Sequence, residues 1–174
     1  PVNIRALKRF VTDKVYKESR APVEPVEVTK EQKIAIIGAG PCGLTAAQDL
    51  AKLGYPVTVF EALPVAGGML RVGVPEYRLP TEIIEREIED ILDLGIELRL
   101  NTTINDLDDL FDQGFESVLI SVGAHEGIRL PIPGADLEGV LINTRFLRDV
   151  RLDNLPDLGK RVLVLGGGNV AIDC

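Results

Sequence analysis

The sequence has no tryptophan, a single histidine, and only two cysteines, Cys42 and Cys174, which stand 174 − 42 = 132 positions apart. Thiols this few and this far apart exclude a disulfide scaffold, a zinc knuckle or an iron–sulfur ligand run within these residues. No apolar run approaches the roughly 18 residues that a spanning helix requires, so no membrane segment is expected. The chain opens at Pro1 without a basic-then-apolar signal pattern, and the cytoplasm is the expected location. Positive charge is also in deficit: 19 Lys and Arg against 27 Asp and Glu leave a net charge of −8. An acidic chain with one histidine and no tryptophan carries no general footprint for nucleic acid. What is present is ordinary globular composition, 45% apolar and 26% charged, and 174 residues allow one domain and a remainder.

Charge is unevenly spread. Residues 82–116 hold twelve acids against Arg86 and Arg99 (12 − 2 = 10), and residues 1–20 hold six bases against Asp13 and Glu18 (6 − 2 = 4). The acidic stretch is most simply a solvated face, with docking of the basic segment against it as the alternative. Ile4, Leu7, Val11 and Val15 stand at helical spacing behind Asn3, a plausible N-cap, which predicts a short amphipathic helix over 3–16. The stretch around Pro22 and Pro25 lacks periodicity and suits an extended linker. From Lys33 onward strand and helix alternate: Ile34 to Ile37, a helix from about Pro41 to Leu53 closed by Gly54, then Val57 to Glu61, which is one βαβ unit. After a loop rich in glycine and proline, Thr81 can cap a helix with Ile84, Ile88 and Ile91 on one face, ended by Gly95. Strands are expected at Ile96 to Leu100, and at Val118 to Val122 and Arg161 to Leu165, both continuous apolar runs suited to burial on both faces of a parallel sheet.

Two glycine turns follow apolar strands. In the first, Gly38-Ala-Gly40-Pro41-Cys42-Gly43, Gly38 permits the tight strand-to-helix turn and Gly40 lets the backbone approach a pyrophosphate. Gly43 allows close helix packing, and the helix N-terminus faces the anion. Pro41 suits the first helical turn, where its missing N–H costs little. Eighteen residues beyond Gly43, Glu61 ends the second strand, where a carboxylate can accept hydrogen bonds from a ribose diol. That carboxylate repels a 2′-phosphate, and Ala62 and Leu63 supply no countering cation, so FAD or NAD fits this site better than NADP. The second turn, Gly166-Gly-Gly168-Asn169-Val170-Ala171, repeats the design, but the chain ends three residues later. It is expected to hold at most the phosphate-turn half of a second dinucleotide site.

With these residues in view, the chain resembles the pyridine-nucleotide-dependent flavoproteins. The resemblance is strongest to the small (beta) subunit of glutamate synthase and its relatives, dihydropyrimidine dehydrogenase and NADH-dependent ferredoxin:NADP oxidoreductase. Four pieces carry it: Val2 to Phe10, Gly38 to Gly43 with Glu61, Gly67-Gly68-Met69-Leu-Arg-Val-Gly-Val-Pro-Glu-Tyr-Arg78-Leu-Pro80, and Gly166 to Asp173. The resemblance implies an α/β fold, a Rossmann-like FAD-binding domain with a parallel sheet of βαβ units, an N-terminal helical extension, and the truncated start of a second Rossmann-like NAD(P)-binding domain. The corresponding boundaries are 1–32 for the helix and linker, 33–157 for the first part of the FAD-binding domain and 158–174 for the start of the NAD(P) domain.

By the same resemblance, Gly40, Pro41, Cys42 and Gly43 would line the FAD pyrophosphate, with Gly38 making the turn and Glu61 at the adenosine ribose. Gly68 and Met69 would lie on the approach to the flavin side. Arg78 would make a polar contact, Ile104 a backbone contact near the adenine end, and Gly123 a close approach at a second strand end. Gly166, Gly168, Asn169 and Val170 would form the nicotinamide nucleotide's phosphate turn. The family's cysteine-rich iron–sulfur domain, which precedes the Val2–Phe10 helix, and the return segment of the FAD domain are missing, so the chain is expected to be a fragment. The implied cofactors are FAD, NAD(P)H with an incomplete site here, and 4Fe-4S clusters whose ligands lie outside this chain.

The implied activity of the parent is acceptance of hydride from NAD(P)H onto FAD, with electrons passing through iron–sulfur centres to the glutamate synthase large subunit or another acceptor protein. Alternatives are a ferredoxin:NADP or pyrimidine reductase flavin module, or a non-catalytic interaction module of the same fold. No catalytic acid, nucleophile or metal-ligand set is visible. Cys42 is expected to fill a small-residue slot at the helix start, His125 to face solvent from a loop, and Arg71 to be solvated.

Overall fold

The computed structural model describes residues 2–17 and 22–174. Helix α1 spans Ile4–Lys17, and Asn3 caps it as its position suggests: its side-chain oxygen accepts the Ala6 N–H at 3.0 Å. The apolar stripe of α1 is not packed inward; Ile4, Leu7, Val11 and Val15 are each more than half exposed. Its far end touches the body through Tyr16, whose ring lies under the Arg86 guanidinium at 4.6 Å and whose hydroxyl donates to Glu87. The contact to the acidic stretch is thus one aromatic residue against a neighbouring cation and anion. The rest of the basic segment, from Glu18, lies outside the described residues.

Four strands, β1 (Ile34–Ile37), β2 (Val57–Phe60), β3 (Glu97–Arg99) and β4 (Ser117–Ile120), form a parallel sheet in the order β3-β2-β1-β4. Alternation along each strand sorts the side chains onto two faces. One face carries Ile34, Ile36, Val57 and Val59 against Leu44, Ala47 and Ala51 of helix α2 (Pro41–Lys52), with Leu94 and Ile96. Helix α4 (Thr81–Leu92) lies beside α2 and adds Ile88 and Ile91 at the margin of that cluster. The other face is smaller: Ala35 and Phe60 meet Leu110 of the short helix α5 (Asp108–Asp112) and Phe115, whose ring packs edge-on to Phe60 at 5.6 Å. Gly54 ends α2 at φ +86° and Gly95 follows α4 at φ +98°, the left-handed conformation that suits glycine after a helix. Residues 22–33 form no strand or helix, yet they are fastened: Val26 donates to the Leu94 carbonyl, and Thr29 and Lys30 donate to the Gly54 carbonyl.

Three sequence expectations fail. The strand expected at Val118 to Val122 to be buried on both faces is the edge strand β4, with Leu119 36% and Ile120 58% exposed, because no further strand among the described residues covers its outer side. The strand expected at Arg161 to Leu165 is absent among the described residues. Its backbone pairs with no neighbouring strand, and Leu163 is 83% exposed; an apolar run without a partner strand has no ladder to join. Thr81 does not cap α4. Pro80 occupies the cap position, and the Thr81 hydroxyl is engaged elsewhere, as described below.

Two further helices are not among the sequence expectations, α3 (Met69–Val72) inside the glycine-rich loop and α6 (Asn143–Arg151), whose Leu147 is buried. A last short helix, α7 (Asn169–Asp173), follows the second glycine turn.

Candidate functional site

Because β1 is flanked by β2 on one side and β4 on the other, the chain's crossovers diverge at the C-terminal end of β1, where open α/β sheets present their ligand crevice. The first glycine turn lies there. Gly38 has φ +105° and donates its N–H to the Phe60 carbonyl at 2.7 Å; a β-carbon on it would lie 2.5 Å from the Ser121 carbonyl oxygen. A β-carbon on Gly43 would overlap the Gly38 carbonyl and come within 2.6 Å of the Ser121 hydroxyl. That hydroxyl lies 3.0 Å from the Ile37 carbonyl and 3.1 Å from that of Gly38. Ser121, just beyond β4, is therefore the wedge that seats the turn, and the sequence reading missed it. Its one detectable signal is a polar residue inside an apolar strand run.

Gly40 is the N-cap residue of α2 and makes no side-chain cap, and Pro41 fills the first helical position. The first-turn N–H groups of Cys42 and Gly43 have no partner within a helix and point outward from its positive end. Over this end passes a second glycine backbone. Gly68, at φ +53°, approaches so closely that a β-carbon on it would stand 2.8 Å from the Gly40 Cα, and Gly67 donates to the Ala39 carbonyl at 2.8 Å. Two bare backbones thus meet at the helix N-terminus, leaving a cradle that side chains would fill.

Glu61 follows β2 and is 8% exposed. Its two carboxylate oxygens accept the N–H of Ala39 at 2.8 Å and of Leu63 at 2.9 Å. A carboxylate offers about four acceptor sites, so two remain for a diol. These features fit a dinucleotide whose pyrophosphate lies on the helix end and whose ribose reaches Glu61.

The structure brings Gly38, Gly40, Pro41, Cys42, Gly43, Glu61, Gly68 and Met69 into one neighbourhood. Met69 opens α3 directly after Gly68. Ile104 packs its side chain under the sheet with Phe60 and Leu110, on a segment tied to β2 by Thr102 donating to the Glu61 carbonyl at 2.8 Å. Gly123, at φ +68°, is exposed two residues past Ser121.

Arg78 is placed differently. Its Nε and the Tyr77 hydroxyl each lie 2.6 Å from the same Asp173 oxygen. These bonds hold the Asp173 carboxyl below the usual carboxylate range and push the Tyr77 phenol and the Arg78 guanidinium above theirs. Arg78 therefore fastens the loop to α7 at the second turn, where Gly166 (φ +129°), Gly168, Asn169 and Val170 lie. Cys42 is exposed at the start of α2, and His125 is half-buried beside Gly123.

Arg71, expected to be solvated, is largely covered: its guanidinium donates to the Thr81 hydroxyl at 2.6 Å and to Glu85 at 3.3 Å. The same hydroxyl donates to Glu76 at 2.6 Å and accepts from Arg151 at 2.9 Å, and Arg151 also pairs with the Glu76 carboxylate. These partners, the Thr81 hydroxyl foremost, lower the Glu76 carboxyl to about 2. No helix among the described residues is long and apolar enough to cross a membrane.

A profile of the family described as pyridine nucleotide-disulphide oxidoreductase matches residues 32–174. The NADP(+)-dependent formate dehydrogenase subunit beta of Moorella thermoacetica is 46% identical, over the whole of this chain and 28% of that protein. The glutamate synthase [NADPH] small chain of Mycobacterium tuberculosis is 33% identical, over the whole of this chain and 39% of that protein. Among solved structures, Mycobacterium tuberculosis FprA in complex with NADPH superposes with a TM-score of 0.71 at 29% identity, over 83% of this chain and 35% of that one. The chain therefore spans well under half the length of the curated relatives it matches.

Proposed function

The chain belongs to the pyridine nucleotide-disulphide oxidoreductase family, and from that premise we propose that its first glycine turn holds FAD and that its second begins a site for NAD(P)H. The observation that carries this reading is the meeting of the Gly40 and Gly68 backbones at the N-terminus of α2. The N–H groups of Cys42 and Gly43 take the pyrophosphate, and Pro41 keeps the first helical position clear of a competing donor. Glu61 receives the adenosine ribose while its bonds to Ala39 and Leu63 hold it in place. Met69 borders the flavin side, and Ile104 and Gly123 offer backbone at the adenine end and at the β4 end. Arg78 serves the cofactor region through the loop it anchors to Asp173. Gly166, Gly168, Asn169 and Val170 form the phosphate turn for the nicotinamide nucleotide. When bound, FAD supplies the hydride-accepting flavin, which no side chain of the protein could replace.

For the whole protein we read an NAD(P)H-dependent flavin oxidoreductase that passes electrons to a partner subunit through iron–sulfur centres. Both curated relatives described above bear the names of subunits, which supports a partner protein. The higher identity to the formate dehydrogenase subunit favours an electron-transfer role in an enzyme of that kind over a glutamate-forming one.

The test is a titration of the purified chain with FAD, followed by flavin fluorescence and visible absorbance. Saturation at one FAD per chain, with a perturbed flavin spectrum, is expected; flavin signals identical to those of free FAD throughout the titration would overturn the reading.

A further inference from the structure

Arg151 ends α6 with its side chain only 10% exposed, 80 residues after Arg71 and far in sequence from the first glycine turn. Each of its three guanidinium nitrogens donates a bond: Nε to the Arg71 carbonyl at 2.9 Å, Nη2 to the Thr81 hydroxyl at 2.9 Å, and Nη1 to the Glu76 carboxylate. The planar fork spreads these donors over three separate nitrogens, whereas a lysine ammonium carries its three donors on one atom and could reach only part of this set. The Arg71 carbonyl belongs to the last turn of α3, where backbone oxygens lack a partner within the helix and a cation is favoured. Helix α3 begins at the Gly68 cap, and Val72 donates back to the Gly68 carbonyl at 3.0 Å. A continuous set of contacts therefore runs from Arg151 through α3 to the bare backbone that faces Gly40.

We propose that Arg151 is a positioning residue for the dinucleotide cradle: by holding the Arg71 carbonyl and the Thr81 hydroxyl, it keeps α3 seated so that Gly68 stays against Gly40. The consequence for the cofactor rests on the reading of the first turn as an FAD site. The seating of Gly68 rests on this structure alone. Thr81 acts as the shared anchor, since its hydroxyl accepts from both Arg71 and Arg151 while donating to Glu76. Without the fork, the short α3 keeps its own few backbone bonds, the Gly67 N–H to Ala39, the buried Val72 and the Arg71 side-chain bonds to Thr81 and Glu85, but it loses the Arg151 partner of its C-terminal Arg71 carbonyl and the second donor that fixes Thr81.

The experiment compares the unaltered chain with Arg151→Ala and Arg151→Lys by amide hydrogen exchange and by FAD titration. The expected result is faster exchange confined to Gly67, Val72 and Gly73, with Ile36 and Val59 in the sheet unchanged. The FAD half-saturation point should rise about tenfold in Arg151→Ala, with the lysine variant between. Exchange at Gly67 that is unchanged, or that rises equally in the sheet, overturns the proposal, because a clamp serving only global stability would act on all sites alike. Should Arg151→Ala fail to fold, Arg151→Lys and Thr81→Val carry the same comparison. If the unaltered chain binds no FAD, the cofactor reading falls, and exchange at Gly67 still decides the role of Arg151.

Discussion

The backbones of Gly40 and Gly68 meet so closely that a β-carbon on Gly68 would lie 2.8 Å from the Cα of Gly40. Gly68→Ala should therefore push the α3 loop off the α2 N-terminus, and its backbone conformation, φ +53° with ψ −139°, adds a cost of about 1–3 kcal/mol for a residue with a β-carbon. A lowered melting temperature together with FAD affinity reduced by more than tenfold is expected. Thermal unfolding and flavin fluorescence on the same preparation measure both.

Glu61→Gln exchanges one acceptor oxygen for an amide donor, so either the Ala39 or the Leu63 N–H loses its partner. An unsatisfied buried donor costs about 1–3 kcal/mol. The urea midpoint should fall with an unchanged slope, a pattern that assigns the loss to stability rather than to a change in the unfolded chain.

Glu76 supplies a pH test. Its carboxyl is lowered from the ordinary 4.5 to about 2 by the Thr81 hydroxyl and Arg151. A folded value below the unfolded one means that its contribution is complete above pH 4.5 and disappears as pH falls from 4.5 through about 2. Glu76→Gln removes this contribution, so the melting temperatures of the two proteins should differ at pH 6 and converge toward pH 2. A gap that stays constant across that range would show that Glu76 does not titrate as its partners require.

Asp173 restrains the loop through Tyr77 and Arg78. Asp173→Asn should free the Arg78–Leu79 bond, and limited trypsin digestion should cut there several-fold faster than in the unaltered chain. The Arg9 and Arg145 sites, both paired within their own helices, serve as internal controls.

The first turn is legible in the sequence because its glycine spacing, between an apolar strand and a helix start, is itself the signal; only Gly43 answers a local clash, with the Gly38 carbonyl, whereas Gly38 is required by the distant Ser121 and Val122. The helices around it are equally legible from their 3.6-residue spacing, and Asn3 and Gly54 mark their ends as expected. What the sequence conceals is non-local. An apolar run such as Val118 to Val122 looks the same whether a strand covers it or not, and its burial depends on neighbours that periodicity does not report. Thr81 stands where a cap belongs, yet Arg71, Glu76 and Arg151 compete for its hydroxyl from distances of up to 70 residues. Helix α6 was legible in principle: Phe146, Leu147 and Val150 follow Asn143 at helical spacing, although nothing in that pattern points to the role of Arg151.

The parallel register places Ile37 level with Phe60 on one side and with Ile120 on the other. The residues that build the cradle, Gly38, Glu61 and Ser121, therefore step off the sheet from a single contour. A strand as exposed as β4 is poorly locked by burial, and a one-residue slip along β1 would turn the Ser121 hydroxyl to the opposite face. Its bonds to the Ile37 and Gly38 carbonyls act as a detent that only the correct alignment satisfies. A misaligned chain could retain most of its core and still lack a formed cradle, so ligand binding reports the alignment of β4 more sharply than any measure of compactness.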